Sequence, residues 1–318
     1  FLPGRYYWLG VLGGVFMSFV KVKKKEYKGW ENCIEISNGI IDLIAVTDIG
    51  PRIIRFGFIG KENEFCEVPD QVGTIGGNEW KIYGGHRLWH SPEHKPRSYE
   101  IDNSRISYYE KENGVVLCQP VETNAKMQKE MEITISSDEA KVTILHRITN
   151  KGLWPVELAA WALSVMAPGG KEIIPQTNTG TDLLPNRMIS LWPYTKLNDP
   201  RVYWGEKYIT LQQDINAKTP FKIGMPNEDG WAAYTNHGNL FIKKYQHLPD
   251  VLYPDFGASS YETYTCNYMT EMESLSPLQI LEPEKFIEHV EVWTLFNNIE
   301  VPGNEDDIDK IILPLVNE

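Results

Sequence analysis

The sequence predicts an all-β protein, an antiparallel sandwich or barrel, on three observations. From residue 33 onward, β-branched and aromatic runs recur, each bounded by a turn cluster. Polar and apolar residues alternate at period two through Met127–Ser136 and Lys141–Asn150. The only convincing helix signature lies at the C-terminal end. Many hairpins and almost no helix favour two packed antiparallel sheets.

The elements follow in order. Ile40–Thr47 and Ile53–Phe58 are separated by the turn cluster Asp48-Ile49-Gly50-Pro51. Arg105–Glu110 and Val115–Val121 flank Asn113-Gly114, a strong hairpin signal. Met127–Ser136 and Lys141–Asn150 turn through Ser137-Asp138-Glu139, and Val156–Met166 follows Gly152. Residues 167–230 are richer in Pro, Gly and Asn, so long loops with a few short strands are expected there. Trp231–Thr235 and Asn239–Tyr245 flank Asn236-His237-Gly238, and Glu262–Ser274 and Phe286–Phe296 complete the strands. Asn304 is placed to cap an acidic first turn (Glu305, Asp306, Asp307) ahead of Ile308, Ile311 and Ile312. No linker interrupts the chain, and residues 21–318 read as one domain.

A formal net charge of −12 over 318 residues leaves no basic face for a nucleic acid and fits a neutral small ligand better. Cys33, Cys66, Cys118 and Cys266 are too widely spaced for a zinc ribbon or a disulfide scaffold. They read as buried free thiols, which favours a cytoplasmic location. The apolar run at residues 6–20 falls short of the roughly 20 residues of a membrane span, so no stable membrane insertion is expected. Residues 1–20 read as an apolar extension, either upstream of a start at Met17 or a leader that would make the protein secreted or anchored. Nucleotide loops and the Gly-x-Ser-x-Gly elbow are absent from the sequence, and no cofactor is expected.

Two stretches carry the candidate chemistry. Gly84-Gly85-His86-Arg87-Leu88-Trp89-His90 places a histidine and an arginine after a glycine pair, where backbone can approach a ligand. Thr270-Glu271-Met272-Glu273 places two carboxylates at i and i+2, on one face of a strand. Brought together, an imidazole and a carboxylate could move a proton onto one oxygen and off another. His86, His90 and His94 with Glu93 also invite a metal reading, but Pro92 and Pro96 break the helix that would align them, so no metal is expected. Trp89, Trp161 and Trp192 could offer stacking surfaces to an apolar ligand face.

The order of Arg52, His86, Asp255 and Glu271/Glu273 resembles the galactose mutarotase-like superfamily, which includes the aldose 1-epimerases. Gly84–Trp89, Ala167–Gly170 and Glu271–Pro277 resemble segments of one branch of it, and the resemblance spans roughly residues 33–297. It implies an antiparallel β-supersandwich with a sugar in a groove. Catalysis would be by a glutamate that takes the anomeric proton and a histidine that gives one to the ring oxygen. Carried over, His86 is the acid and Glu271 or Glu273 the base, with spacing favouring Glu271. Arg52, Arg87, Trp89, His90 and Asp255 are then sugar contacts. The family's second histidine has no counterpart in Glu157–Ser164. A carbohydrate-binding protein without turnover is therefore the alternative to a mutarotase.

Overall fold

The computed structural model describes residues 20–318; the N-terminal extension, through residue 19, lies outside the described residues. The first five strands lie side by side in one sheet: β1 (Lys21–Tyr27), β2 (Trp30–Ser37), β3 (Ile41–Val46), β4 (Arg52–Phe58) and β5 (Gly85–Ser91). The next four run through a second sheet: β6 (Ser107–Lys111), β7 (Gly114–Cys118), β8 (Met127–Ile135) and β9 (Lys141–Asn150). β10 (Val156–Met166) returns to pair with β5, and β11 (Lys171–Pro175) crosses back. β12 (Ser190–Leu191) edges the first sheet, and β13 (Val202–Trp204) and β14 (Tyr208–Gln212) extend the second. β15 (Phe221–Met225) rejoins the first sheet; β16 (Trp231–Asn236) and β17 (Asn239–Tyr245) are in the second. β18 (Tyr261–Thr265), β19 (Thr270–Leu275) and β20 (Gln279–Leu281) complete the first sheet, and β21 (Phe286–Asn297) the second. The result is an all-β antiparallel sandwich of an 11-stranded and a 10-stranded sheet.

The expected hairpins form where the turn residues call for them. Asn113 adopts φ 55° between β6 and β7, and His237 and Gly238 adopt φ 54° and 75° between β16 and β17. The run expected as one strand at Glu262–Ser274 is instead the β18–β19 hairpin, turning through Cys266–Met269. Residues 167–230 hold five short strands among loops. The lysine cluster after residue 20 forms edge strand β1, whose charged side chains discourage pairing with another chain. All four cysteines are free thiols.

β8 alternates buried and half-buried residues along its length, as a strand with one face on the core should. Central strand β10 is buried from Leu158 to Met166 without alternation. Its even-numbered residues face the other sheet, whereas Trp161 and Leu163 pack among aromatics on the outer face. The C-terminal helical stretch, Glu305–Val316, covers the outer face of the second sheet with Ile308, Ile312 and Val316. Asn304 caps it, accepting from the Asp307 amide at 3.0 Å. Asn304→Ala is expected to cost about 1 kcal/mol in urea denaturation; an unchanged midpoint would mean that the cap contributes nothing.

Polar groups also bridge the two sheets. Glu172 of β11 is fully buried and accepts hydrogen bonds from Tyr261 Oη and Thr263 Oγ1 of β18. Burial pushes its carboxyl up to about 8. The folded state therefore keeps a proton that the unfolded chain releases above about pH 4.5, so this contribution is complete in acid and is lost as pH rises toward 8. Its limiting slope is about 1.4 kcal/mol per pH unit. The thermal stability of wild type relative to Glu172→Gln should fall with rising pH between about 5 and 8; a constant difference would show that Glu172 is not the group responsible.

Candidate functional site

A groove of about 380 Å3 opens on the outer face of the 11-stranded sheet. Strand parity decides what enters it. On β5, Arg87 and Trp89 point into the groove, while His86, Leu88 and His90 point between the sheets. Pairing extends the outer row: Arg87 lies opposite Leu163 of β10, which lies opposite Glu273 of β19, which lies opposite Glu262 of β18. The neighbouring row runs Glu271, Tyr264 and Lys222, the last on β15.

At one end, Arg87 Nη2 donates to Glu271 Oε1 at 2.8 Å, and the guanidinium stacks over Trp89 at 4.7 Å. Trp80, Trp89 and Tyr99 form an aromatic cluster with centroids 4.9–5.3 Å apart, and Trp161 adjoins it at 5.4 Å. Arg87 Nε and Nη1 are buried without a partner, as is Trp80 Nε1. Unmade bonds of this kind cost roughly 1–3 kcal/mol each until something supplies an acceptor.

At the other end, Lys222 Nζ lies 2.9 Å from both Glu273 and Glu262 and over the rings of Trp161 and Trp192, at 4.6 and 4.7 Å. Trp161 Nε1 also donates to Glu273 Oε2 at 2.8 Å. Burial disfavours the Lys222 ammonium, but the two glutamates outweigh it and hold its pKa well above the usual value. Burial pushes Glu262 well above the carboxylate range and raises Glu273 too. One ammonium thus faces two carboxyls, which share it as their compensating charge.

The structure thus brings Arg87, Trp89, Glu271 and Glu273 together, and it places the other candidates elsewhere. His86 is fully buried behind β5, where its Nδ1 meets Ser164 Oγ at 2.9 Å and its Nε2 meets His146 Nε2 at 2.7 Å. It cannot serve as an acid in a groove on the opposite face of its own strand. His90 is buried on that same inner face, with neither ring nitrogen partnered. Arg52 is fully buried and binds the carbonyls of Ile82 and Gly84, each at 2.8 Å, and Asp102 at 2.9 Å. It is a clamp on the loops flanking β5. Asp255 sits in a tight turn at φ 53°, where its backbone carbonyl accepts from Ser190 Oγ at 3.0 Å. The glycine pair serves backbone packing: a Cβ at Gly84 would lie 2.0 Å from the Cys66 carbonyl oxygen, and one at Gly85 2.2 Å from that of Ile53.

Sequence pattern alone does not single out Lys222, Glu262, Trp80, Tyr99, Tyr194 or Tyr264. The available signal was a charged residue inside an apolar strand: Lys222 between Phe221 and Ile223, and Glu262 after Tyr261. His94 and Glu93 are exposed and far from the inward-facing His86 and His90 in environment, so the four do not form a cluster. Among the described residues, one set of potential metal donors does converge between the sheets: His86, His146 and Glu291, within 4.8 Å. Its donors already bind each other. His146 Nδ1 donates to the His289 carbonyl at 2.9 Å, which leaves its Nε2 to accept the proton from His86. Two nitrogens 2.7 Å apart are too close to share a metal at 2.0–2.1 Å each in tetrahedral geometry.

Neither a family model nor a curated protein matches this chain. Solved structures do. A galactose mutarotase-like protein from Lactobacillus casei superposes with a TM-score of 0.55 at 9% identity, covering 83% of this chain and 100% of its own. The Slr1438 protein from Synechocystis sp. gives 0.55 at 10% identity, covering 86% and 99%. A TPR-domain containing protein from Parabacteroides distasonis gives 0.56 at 11%, covering 86% of this chain and 49% of its own. No described helix is long and apolar enough to cross a membrane. The paired sheets and these likenesses together give the chain the galactose mutarotase-like fold.

Proposed function

We propose that this protein binds a carbohydrate in the outer-face groove, by stacking on its tryptophans and hydrogen bonding to the Arg87–Glu271 pair. The observation that carries this is the unpartnered edge of the Arg87 guanidinium, buried within an aromatic cluster. Sugars present apolar C–H faces and, around the ring edge, hydroxyls that both donate and accept. The first match the rings and the second match an arginine beside a carboxylate.

Interconversion of anomers is the second reading, and Glu271 on the groove wall favours it. Glu271 would take the anomeric proton, and Lys222, held between Glu262 and Glu273, would be the groove's cationic donor toward the ring oxygen. Against it, none of the described histidines lines the groove.

One experiment separates the two. Tryptophan fluorescence across a sugar panel reads binding, and saturation-exchange NMR on the same sugars reads anomer exchange, for wild type and Glu271→Gln. Saturable binding without faster exchange is the expected result. Faster exchange that Glu271→Gln abolishes would make the protein a mutarotase, and no saturable binding would remove the carbohydrate reading altogether.

A further inference from the structure

Arg87 lines the groove yet is only 2% exposed, and its Nε and Nη1 are shielded from solvent. How a ligand reaches that edge is a question that rests on the carbohydrate reading above. For the bond to form, a neighbour must move aside. Two tryptophans stand against the guanidinium, Trp89 at 4.7 Å and Trp80 at 5.7 Å. Trp89 lies two residues along β5 from Arg87, in a strand paired to β10, so it is fixed with the floor. Trp80 belongs to no strand.

The chain around Trp80 is tied down on both sides and loose in between. Ahead of it, Gly76 N donates to the Asn103 carbonyl at 2.7 Å. Asn103 Nδ2 in turn donates to the carbonyls of Gly76 and Gly77, at 2.7 and 3.0 Å. Behind it, Arg52 holds the Ile82 carbonyl at 2.8 Å, and Tyr83 N donates to Gln71 Oε1 at 2.8 Å. Among the described residues, none forms a backbone–backbone hydrogen bond with residues 78–81. Asn78 and Glu79 are exposed. Trp80 is held by its ring, against Trp89 and Tyr99, each at 5.3 Å. Its Nε1 is buried there without a partner, a strain that swinging out into water relieves. A segment with so few backbone bonds opens locally far more readily than the sheet beneath it.

We infer that residues 78–81 form a gate on the groove, and that Trp80 swings away from Arg87 to admit the ligand. The gate can be read with no sugar present, by phenylglyoxal labelling of the full chain followed by peptide mapping. Arg105, whose side chain is 68% exposed, marks free access, and fully buried Arg52 marks none. Wild-type Arg87 should label at a rate between the two. Trp80→Ala should speed it about tenfold or more while Arg52 stays protected. Asn103→Ala, which loosens the leading anchor and keeps every aromatic ring, should speed it about threefold; it decides alone if Trp80→Ala exposes Arg52 and so proves unfolded. Arg87 labelling as fast as Arg105 in wild type, or no faster in a variant whose Arg52 stays protected, overturns the gate and leaves the carbohydrate reading standing. Sugars that fail to bind while Arg87 labelling responds as expected would remove that reading and spare the gate.

Discussion

Lys243→Met is expected to lower the unfolding free energy by about 3–5 kcal/mol, because it strands a buried carboxylate between the sheets. Lys243 Nζ donates to Glu291 Oε1 at 2.8 Å and to the Met272 carbonyl at 2.9 Å, and both charged side chains are fully buried. Glu291 also accepts from Ser274 Oγ at 2.6 Å and Trp293 Nε1 at 2.8 Å, so it is held as a carboxylate. Despite burial, Lys243 and the histidines hold its pKa well below the usual range. The urea midpoint at neutral pH reads the loss. The double variant Lys243→Met/Glu291→Leu should recover most of it, since an apolar pair needs no compensation. Equal destabilisation in both would place the loss in packing and not in charge.

The same network sets the acid response. Burial lowers the pKa of His86, His146 and His289, the last to about 3. All three, with Glu291, bind protons in the unfolded chain before they do so in the folded one. The network's contribution to stability should therefore fall as pH drops below about 6.5, opposite in sign to the contribution of Glu172.

Arg87→Ala is expected to weaken carbohydrate binding by about thirtyfold or more while the sandwich stays folded. It removes the donor edge at the groove floor, the cation over Trp89, and the partner of Glu271. Arg87→Lys should restore little, because a point charge reproduces neither the fork nor the stacking. Titration beside circular dichroism checks both; wild-type affinity in Arg87→Ala would put the ligand elsewhere.

Much of this architecture was legible in local pattern. Asn113-Gly114 and Asn236-His237-Gly238 allow backbone that few other residues tolerate, so the hairpins there followed from short-range chemistry. Glu271 and Glu273 share a face for the same local reason, the period of two. That period also bore on the mistaken expectation: His86 and Arg87 are adjacent on one strand and must point to opposite faces. The glycines before them suggested an open approach, whereas both are closed against neighbouring backbone.

What the sequence by itself determined was the class of structure, the main hairpins and the faces that adjacent residues take. These depend on turn chemistry and alternation, which act over a few residues. Only the tertiary structure decided which face meets the other sheet and which meets the groove. It also brought Lys222 between Glu262 and Glu273, and His86 beside His146 and Glu291. Those meetings depend on strand order, which joins β5 to β10 and β18 to β15 across long stretches of chain. No short-range preference encodes that order; it follows from burying both sheets against one another at once.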